Sequence, residues 1–347
     1  MIAMAVMVTS FRGAVDEWLG DILSGDLFVR SEPGWGGFDP AAQARLAAVP
    51  GVKAILFNRQ VPIVLDASEP AMTLIARPVG AGDAALELIG KAVAPPPGIV
   101  PVWLSEPAAR ILGRKPGDAI RLPIGQNARF AVAGIWRDYS RQQGAMVIDG
   151  GDYSRLTGDD LRDDALVLLQ PGADIAVVRR AIRAAAVPPL RSRLTMAEPA
   201  ALRALALSIF DRSFAITYVL EAIAIIVGLA GVATTASAQA TARTREFGML
   251  RHIGVARRQI IAMLGIEGAL LGAVGGLVGV TLGTAISQVL IHVINPQSFN
   301  WTMTTRMPIM LMLSVIAALI VASAMTAMLA GRRAASIDAV RAVRADW

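Results

Sequence analysis

The chain has 347 residues, of which 54% are hydrophobic and 5% aromatic, and its mean hydropathy of +0.54 exceeds that of most soluble globular domains. The formal net charge is +6, but the arginines cluster beside apolar runs, where they set membrane orientation, and this argues against nucleic-acid binding. Cysteine is absent, which excludes a disulfide framework, a thiol catalyst and a thiolate metal site.

The first segment, residues 1–11, is apolar (MIAMAVMVTSF) but too short to span a membrane. It lacks the basic n-region and the small-residue cleavage site of a signal peptide. A large domain follows that has to be delivered across the membrane. We therefore interpret residues 1–11 as the outer end of a truncated first transmembrane helix, which begins further upstream or within a longer polypeptide.

Residues 12–199 alternate strand-like and helix-like segments. Asp39 followed by Pro40 predicts a helix start, because Asp caps the first turn and Pro suits its first position. Ser105 predicts a second helix start in the same way. Strands are predicted for the segments VKAILFNRQVPIVL, MTLIARPV, RFAVAGIW and GAMVIDG. This mixture predicts an α+β extracytoplasmic domain that is large enough to have its own core.

Three long apolar segments follow, at residues 214–238, 260–294 and 308–330. Each can cross a hydrocarbon core of about 30 Å as a helix that rises roughly 1.5 Å per residue. The stalk, residues 200–213, runs into the first segment without Pro or Gly, which predicts one continuous helix. The predicted fold class is a membrane protein: an α-helical transmembrane bundle of three complete spans plus the truncated first span, with a large α+β extracytoplasmic domain.

Arginines are concentrated beside the spans in the connector at residues 239–259 and in the tail at residues 331–347. The connector at residues 295–307 has a single arginine and a tryptophan, Trp301, of the kind that settles at a membrane interface. Because Lys and Arg accumulate in cytoplasmic loops, we place residues 239–259 and 331–347 in the cytoplasm, and residues 12–213 and 295–307 outside. The arginines concerned are Arg243, Arg245, Arg251, Arg257, Arg258, Arg332, Arg333, Arg341 and Arg344.

Two acidic residues fall within the spans, Glu221 in the first and Glu267 in the second. The two helices run antiparallel, so the carboxyl groups lie at different depths and we do not expect them to pair. A carboxyl group inside a span is a candidate functional group. The alternative is one hydrogen bond to a neighbouring helix, made with the carboxyl charged or protonated.

The segment EGALLGAVGGLVGVTLG contains two overlapping ladders of glycines at four-residue spacing, which places each ladder on one helix face. Missing side chains let another helix approach such a face closely. Packing within one subunit and a subunit interface both remain open. The ladders consist of Gly268, Gly272 and Gly276, and of Gly275, Gly279 and Gly283.

The connector segment REFGMLRHIG places Phe247, Leu250 and Ile253 at three-residue spacing with arginines between them. This spacing predicts a short amphipathic helix, which Gly254 can end. The helix can lie on the lipid surface, or it can insert its apolar ridge into a groove on a cytoplasmic partner.

Motifs of catalytic and nucleotide-binding sites are absent from the sequence. No G-x-x-x-x-G-K-[ST] phosphate loop occurs, so we do not expect the chain to hydrolyse ATP itself, and there is no G-x-S-x-G or H-E-x-x-H motif. His252 and His292 lie at opposite ends of one span and cannot share a metal ion. We therefore expect this chain to carry no catalytic residue, no bound cofactor and no metal site.

Three segments resemble the carboxy-terminal region of the FtsX/MacB/LolC-type ABC transporter permeases: TREFGMLRHIGVARRQI, EGALLGAVGGLVGVTLG and AGRRAASIDAVRAVR. The segments VWLSEPAARILGRKPGDAIRL and FAVAGIW are similar to the family's extracytoplasmic core domain. The resemblance implies four spans, with the outer domain between the first and second, and a coupling helix in the 239–259 connector that docks on an ABC ATPase subunit. The residues that we assign to this coupling are Glu246, Phe247, Leu250, Arg251, Ile253 and Gly254.

The resemblance also implies that ATP and Mg²⁺ bind the partner ATPase and not this chain. It implies a second permease copy or a homologous permease repeat beside this one, and a periplasmic carrier or outer-membrane factor is a candidate further partner. The implied cargo is a lipoprotein, a lipid or an amphiphilic compound, which movements of the outer domain extrude or release. The implied location is the inner (plasma) membrane of a bacterium.

Two functions of other classes stay open beside transport. A related permease type transports nothing and instead regulates cell-wall hydrolases outside the cell. The second is an ATPase-independent membrane sensor. The absence of a catalytic motif argues against a membrane-bound enzyme.

Overall fold

The computed structural model describes residues 1–32, 36–67, 70–79, 86, 88–188 and 190–334. The chain forms two compact units. The first, which we call the helical unit, contains Met1–Phe11, Asp211–Val293 and Thr304–Trp347. The second, the sheet unit, contains Arg12–Phe210 and Ile294–Met303.

The secondary structure confirms the mixed character that the sequence predicts. The strands are β1 Leu27–Ser31, β2 Val52–Ile63, β3 Met72–Arg77, β4 Val100–Ser105, β5 Ala119–Ile120, β6 Phe130–Trp136, β7 Ala145–Asp149, β8 Asp164–Leu169 and β9 Leu194–Ala197. The α-helices are α1 Ile2–Ile22, α2 Pro40–Ala47, α3 Glu106–Ile111, α4 Gly150–Thr157, α5 Ile175–Ala185, α6 Pro199–Ala242, α7 Thr244–His252, α8 Arg257–Val289, α9 Asn295–Phe299 and α10 Ile309–Ala334.

The described strands form a single mixed sheet in the order β5-β6-β4-β7-β3-β2-β8-β1-β9. The pairs β3–β7 and β4–β6 are parallel, and the pairs on either side of β2 are antiparallel. Both predicted helix starts in this unit are confirmed. The side chain of Asp39 accepts a hydrogen bond from the backbone N–H of Ala42 at 2.6 Å, and that of Ser105 accepts one from Ala108 at 3.3 Å, which satisfies N–H groups that the first turn leaves free.

The long strand β2 joins two hydrophobic cores of the sheet unit. Its first part, residues 52–58, pairs with β8, and its second part, residues 59–63, pairs with β3. Each buried aliphatic or aromatic side chain in such a core stabilises the fold by about 1.5–3 kcal/mol. The core beside β3 includes Leu74, Val102, Leu104, Phe130, Met146 and Ile148. The core beside β8 includes Leu27, Phe38, Leu46, Val167 and Ile182.

Among the described residues, three helices are long and apolar enough to cross a membrane: Pro199–Gln239, Arg257–Phe299 and Ile309–Arg332. The second of them consists of α8, a π-helical segment at Leu290–Ile294 and α9. The first two predicted spans lie within these helices, and the third, residues 308–330, begins one residue before Ile309. The predicted fold class of a helical membrane part with an α+β domain is therefore confirmed. Helix α6 runs without a break over 44 residues, which corresponds to a rod of about 66 Å at roughly 1.5 Å per residue. The predicted stalk and the predicted first complete span are therefore parts of one helix.

The structure describes the first residues of the chain but not the last ones. Residues 1–11 form the first part of α1, which continues as one helix to Ile22, and their assignment to a membrane span stays a prediction. The tail arginines Arg341 and Arg344 lie outside the described residues.

The connector between α8 and α10 corrects one sequence-based expectation. Trp301 is packed inside protein and does not present its side chain to lipid: the residue is 2% exposed, and its ring meets that of Tyr139 edge-on with centroids 4.7 Å apart. Both residues belong to the sheet unit. Such an aromatic pair adds about 0.5–1.5 kcal/mol to the gain from burying its area, so packing within the sheet unit outweighs an interfacial position.

Candidate functional site

The connector between α6 and α8 contains the short helix α7, and its end has a defined geometry. Gly254 has a φ of 95°, a conformation that glycine adopts without steric cost. Its N–H donates to the carbonyl of Arg251 at 3.1 Å, and the N–H of Val255 donates to the carbonyl of Leu250 at 3.0 Å. These two bonds form a Schellman motif, which ends α7 where the sequence predicts.

The turn at Gly254 brings α7 against the start of α8. Phe247 is 1% exposed and packs in a small core with Ile260 and Leu264 of α8. Leu250 and Val255 flank this core and are partly buried, which is the contact across a helix end that accompanies a Schellman motif. Phe247 therefore holds α7 in place from within the chain.

This burial changes the predicted docking ridge of Phe247, Leu250 and Ile253. Phe247 faces the chain itself, because the nearest apolar surface available to it is the first turn of α8. Ile253 is 78% exposed, and Met249, which the sequence analysis did not select, is 63% exposed. Residues four apart lie on one helix face, so this spacing was the signal for an exposed Met249–Ile253 pair. Arg251 is also exposed.

Arg243, at the junction of α6 and α7, links two acidic residues. Its guanidinium Nη1 donates to both carboxylate oxygens of Glu267, at 3.1 and 2.9 Å, and its Nε donates to Glu246 at 2.9 Å. The same guanidinium lies 5.6 Å from the ring centroid of Phe247. The site thus joins the end of α6, the first turn of α7 and the middle of α8.

The Arg243–Glu267 pair was not foreseen from the sequence. The side chains of Arg243 and Glu267 are 36% and 44% exposed, so solvent screens the pair and it contributes at most about 1 kcal/mol to stability. Its importance is geometric, because the planar guanidinium fixes the directions of its donors, so that Nη1 points to Glu267 while Nε points to Glu246.

Glu221, the other predicted intramembrane acid, lies on α6 and takes no part in this cluster. Its Oε1 is buried and has no hydrogen-bond partner within the described part of the chain. The described residues also contain no group of His, Asp and Glu side chains that could hold a metal ion.

The first glycine ladder packs within the chain. A Cβ added to Gly268 would lie 2.7 Å from the carbonyl oxygen of Ser323 on α10, and one added to Gly272 would lie 2.9 Å from the Ser323 Oγ. Gly276 leaves ordinary room, with the nearest atom of Ile316 at 3.4 Å. The glycines thus allow the backbones of α8 and α10 to approach closely.

In the second ladder, Gly283 is packed closely, whereas Gly275 and Gly279 are not. A Cβ on Gly283 would lie 2.6 Å from Ile2 of α1, whereas no atom lies within 4 Å of one on Gly275 or Gly279. A subunit interface at Gly275 and Gly279 stays a prediction.

The helical unit also contains a groove of about 560 Å³ between α6, α8 and α10. Small residues open it, among them Gly228 and Thr235 on α6 and Gly272 on α8, and the Arg243–Glu267 pair forms part of its wall. The groove is mostly apolar, with one polar corner at this pair.

Comparison with known proteins shows sequence similarity to ABC transporter permeases. Residues 218–339 match the FtsX-like permease C-terminal family, which confirms the resemblance for this part of the chain. Over 320 residues the chain is 27% identical to the uncharacterized ABC transporter permease protein Rv0987 of Mycobacterium tuberculosis, covering 87% of this chain and 37% of that protein. Over 184 residues it is 26% identical to the uncharacterized ABC transporter permease MJ1507 of Methanocaldococcus jannaschii, covering 51% and 44%.

A stretch of 70 residues is 40% identical to the macrolide export ATP-binding/permease protein MacB of Neisseria meningitidis, covering 20% of this chain and 11% of that protein. The chain thus spans less than half of the length of these three curated relatives. Among solved structures, the periplasmic region of MacB from Actinobacillus actinomycetemcomitans aligns with 55% of this chain and 97% of its own, at 12% identity and a TM-score of 0.40.

Proposed function

Because residues 218–339 belong to the FtsX-like permease family, we propose that the chain is the permease subunit of an ABC transporter. In this proposal a separate ATPase subunit binds ATP and Mg²⁺ and hydrolyses the nucleotide. The permease couples that hydrolysis to movement of its extracytoplasmic domain. The observation that carries the proposal is an exposed apolar pair, Met249 on α7 and Ile253 directly after it, beside a side chain, Phe247, that packs against α8.

The contacts of α7 favour docking over lying loosely on the lipid surface. Phe247 anchors the helix from one side, and Arg243 fixes its first turn through Glu246. A helix held in this way loses little conformational freedom when a partner binds. Its exposed apolar pair, spaced four residues apart, suits insertion into a hydrophobic groove. We assign the ATPase contact to Met249 and Ile253, with Leu250 and Arg251 at its border.

The relay to the outside is α6 in this proposal. A displacement of α7 acts on the end of α6 through Arg243, and the helix has no break between Ala242 and Pro199. A rod of about 66 Å exceeds a hydrocarbon core of about 30 Å, so α6 reaches well beyond the membrane. Movement applied at its cytoplasmic end is therefore delivered to residues 12–199.

The topology and partners follow from the same proposal. The chain lies in the inner (plasma) membrane of a bacterium, with residues 12–213 outside and residues 239–259 and 331–347 in the cytoplasm. It works beside a second permease copy or a homologous permease repeat, and a periplasmic carrier or outer-membrane factor receives the cargo. We propose a lipoprotein, a lipid or an amphiphilic compound as cargo; one relative is named for macrolide export.

The proposal is tested by co-purification with the ABC ATPase encoded beside the chain. We expect the wild type to retain the ATPase and a Met249→Asp, Ile253→Asp double variant to lose most of it, by about tenfold or more, because two desolvated apolar contacts are replaced by charges. A matched control is Val177→Asp, since Val177 is 50% exposed on α5 in the sheet unit. Failure of the wild type to bind any ATPase would exclude the transporter function and favour an ATPase-independent sensor.

A further inference from the structure

The connector between α8 and α10 belongs to the sheet unit, and hydrogen bonds and buried side chains hold it there. After α9, Asn300 adopts a positive φ of 60°, which asparagine tolerates better than most residues, and the chain reverses there. The side chain of Asn295 donates to the carbonyl of Trp301 at 2.8 Å and closes the turn. Trp301 and Met303 beyond it are 2% and 4% exposed.

Between these two buried side chains, Thr302 binds a carboxylate that lies far away in the sequence. Oε2 of Glu106 accepts hydrogen bonds from the backbone N–H of Thr302 at 2.8 Å and from its hydroxyl at 3.1 Å. The other oxygen of Glu106 accepts one from Arg110 at 3.2 Å. Tyr139 donates its hydroxyl proton to the carbonyl of Thr302 at 3.2 Å. One residue of the connector is thus held through its backbone N–H, its carbonyl and its side chain.

Glu106 is well suited to a fixed attachment point. It is 7% exposed and begins α3, directly after the buried cap Ser105. Ser105 in turn accepts hydrogen bonds from Ala108 and from Ala145 of β7, the latter at 2.8 Å. Taking a carboxyl group out of water is costly unless hydrogen bonds satisfy it, and Thr302 supplies two of them. One oxygen of the Glu106 carboxyl group is therefore hydrogen-bonded to the connector.

We propose that Glu106 is a positioning residue that holds the α8–α10 connector on the sheet unit and so makes it a mechanical link, in addition to α1 and α6, between the spans and the outer domain. The inference rests on the proposed function and deepens it. The chain passes between the two units inside α1 and α6 as continuous helix, and again at both ends of Ile294–Met303. A fixed attachment of the connector, besides the two continuous helices α1 and α6, transmits movements of α8 and α10 to the domain.

The attachment of the connector through the Glu106–Thr302 hydrogen bonds, which we call the pin, is tested by thiol labelling of the full chain with its ATPase in lipid nanodiscs. The chain has no cysteine, so Met303→Cys provides a single buried reporter. We expect slow maleimide labelling with Glu106 present and labelling at least about tenfold faster with Glu106→Ala, because hydrogen bonds to a charged acceptor restrain local opening. Glu32→Ala is the matched control, since Glu32 pairs with Arg193 at an exposed site. Equal labelling rates with and without Glu106 would overturn the pin.

The transmission is tested with a fluorophore pair on Val177→Cys in α5 and Leu313→Cys in α10, both exposed. We expect a nucleotide-dependent change in energy transfer in wild type, and less than about half of that change in Glu106→Ala, while ATP hydrolysis stays within about twofold. A full response in Glu106→Ala would overturn the link and leave Glu106 a purely structural role. A wild type without any nucleotide response would overturn the proposed function and the link together, whereas the labelling experiment would still decide whether the pin exists.

Discussion

The guanidinium of Arg243 donates hydrogen bonds to both carboxylate oxygens of Glu267, at 3.1 and 2.9 Å. The same group also reaches Glu246 in the first turn of α7. This fork ties α7, which presents Met249 and Ile253, to the helix α8 that follows it. The proposed coupling requires α7 to move together with the spans, and Arg243 connects the two.

We predict that Arg243→Lys weakens ATPase binding by about threefold, because a single ammonium group cannot reproduce a planar fork to two carboxylates. Affinity is measured by titrating the ATPase against the permease in nanodiscs. Glu267→Gln is expected to weaken binding by a smaller factor, since the contact of Arg243 with Glu246 remains, and the double variant to be weakened by less than the two effects combined, since the variants share one interaction. Fully additive effects would show that the two residues act independently.

Phe247→Ala is predicted to loosen α7 without removing the docking pair. The lost packing against Ile260 and Leu264 costs about 3 kcal/mol locally, so backbone amides of α7 should exchange with solvent much faster. Hydrogen exchange followed by mass spectrometry measures this. Met249→Ala is the control, since Met249 is 63% exposed and its truncation should leave exchange in α7 unchanged. Equal protection in wild type and Phe247→Ala would contradict the assigned packing.

The glycines of α8 give a paired prediction. Gly268→Ala places a Cβ 2.7 Å from a backbone oxygen of α10, and we expect it to destabilise the α8–α10 contact by about 1–3 kcal/mol. Gly275→Ala, on the same helix, meets open space and is expected to be neutral or slightly stabilising, because alanine favours helix over glycine. Thermal unfolding in detergent distinguishes the two variants. A destabilising Gly275→Ala would instead indicate an interface with another helix at that face.

A pH-dependent prediction concerns the sheet unit, where Arg59 contacts Asp159 at 2.9 Å and Asp163 at 2.6 Å. Burial alone would raise the pKa of Asp159, but hydrogen bonds from the Leu161 backbone, Tyr153 and Arg59 outweigh it and lower that pKa. Because the pKa of Asp159 is lower in the folded chain, its carboxylate stabilises the fold at pH values above the unfolded pKa of about 3.9. This stabilisation is lost as the pH falls through the folded pKa.

Arg59→Met should therefore reduce the free energy of unfolding by about 2 kcal/mol at pH 7, and the difference from wild type should shrink as the pH falls below about 4. Denaturant unfolding of the purified chain at several pH values measures the difference. Arg155→Met is the control, because Arg155 forms an exposed ion pair with Asp152 and screening leaves such pairs with little effect. A pH-independent difference would mean that Arg59 acts through packing and not through charge.

Features that depend on short-range chemistry could be predicted from the sequence. Asp39 and Ser105 cap their helices, and Gly254 ends α7, because each role is decided within a few residues. The stalk runs into the span as one helix because neither Pro nor Gly lies at their junction. These predictions needed no knowledge of distant contacts.

Features that depend on distant partners could not be predicted. The amphipathic pattern of α7 identifies apolar residues but not which of them its own chain covers, and α8 covers Phe247. Trp301 beside a helix end is equally compatible with a membrane interface and a protein core, and the choice depends on Tyr139 and Glu106, far away in the sequence. Arg243 and Glu267 meet only because the turn at Gly254 folds the chain back.

The proposed contact of an ATPase with Met249 and Ile253 is tested most directly by site-specific cross-linking. Since the chain has no cysteine, Ile253→Cys can carry a single benzophenone maleimide, with Val177→Cys as the control on the sheet unit. We predict that light produces a cross-link to the ATPase from Ile253→Cys and none from Val177→Cys. No cross-link from Ile253→Cys in a complex that hydrolyses ATP, or equal cross-linking from both positions, would contradict the assigned contact.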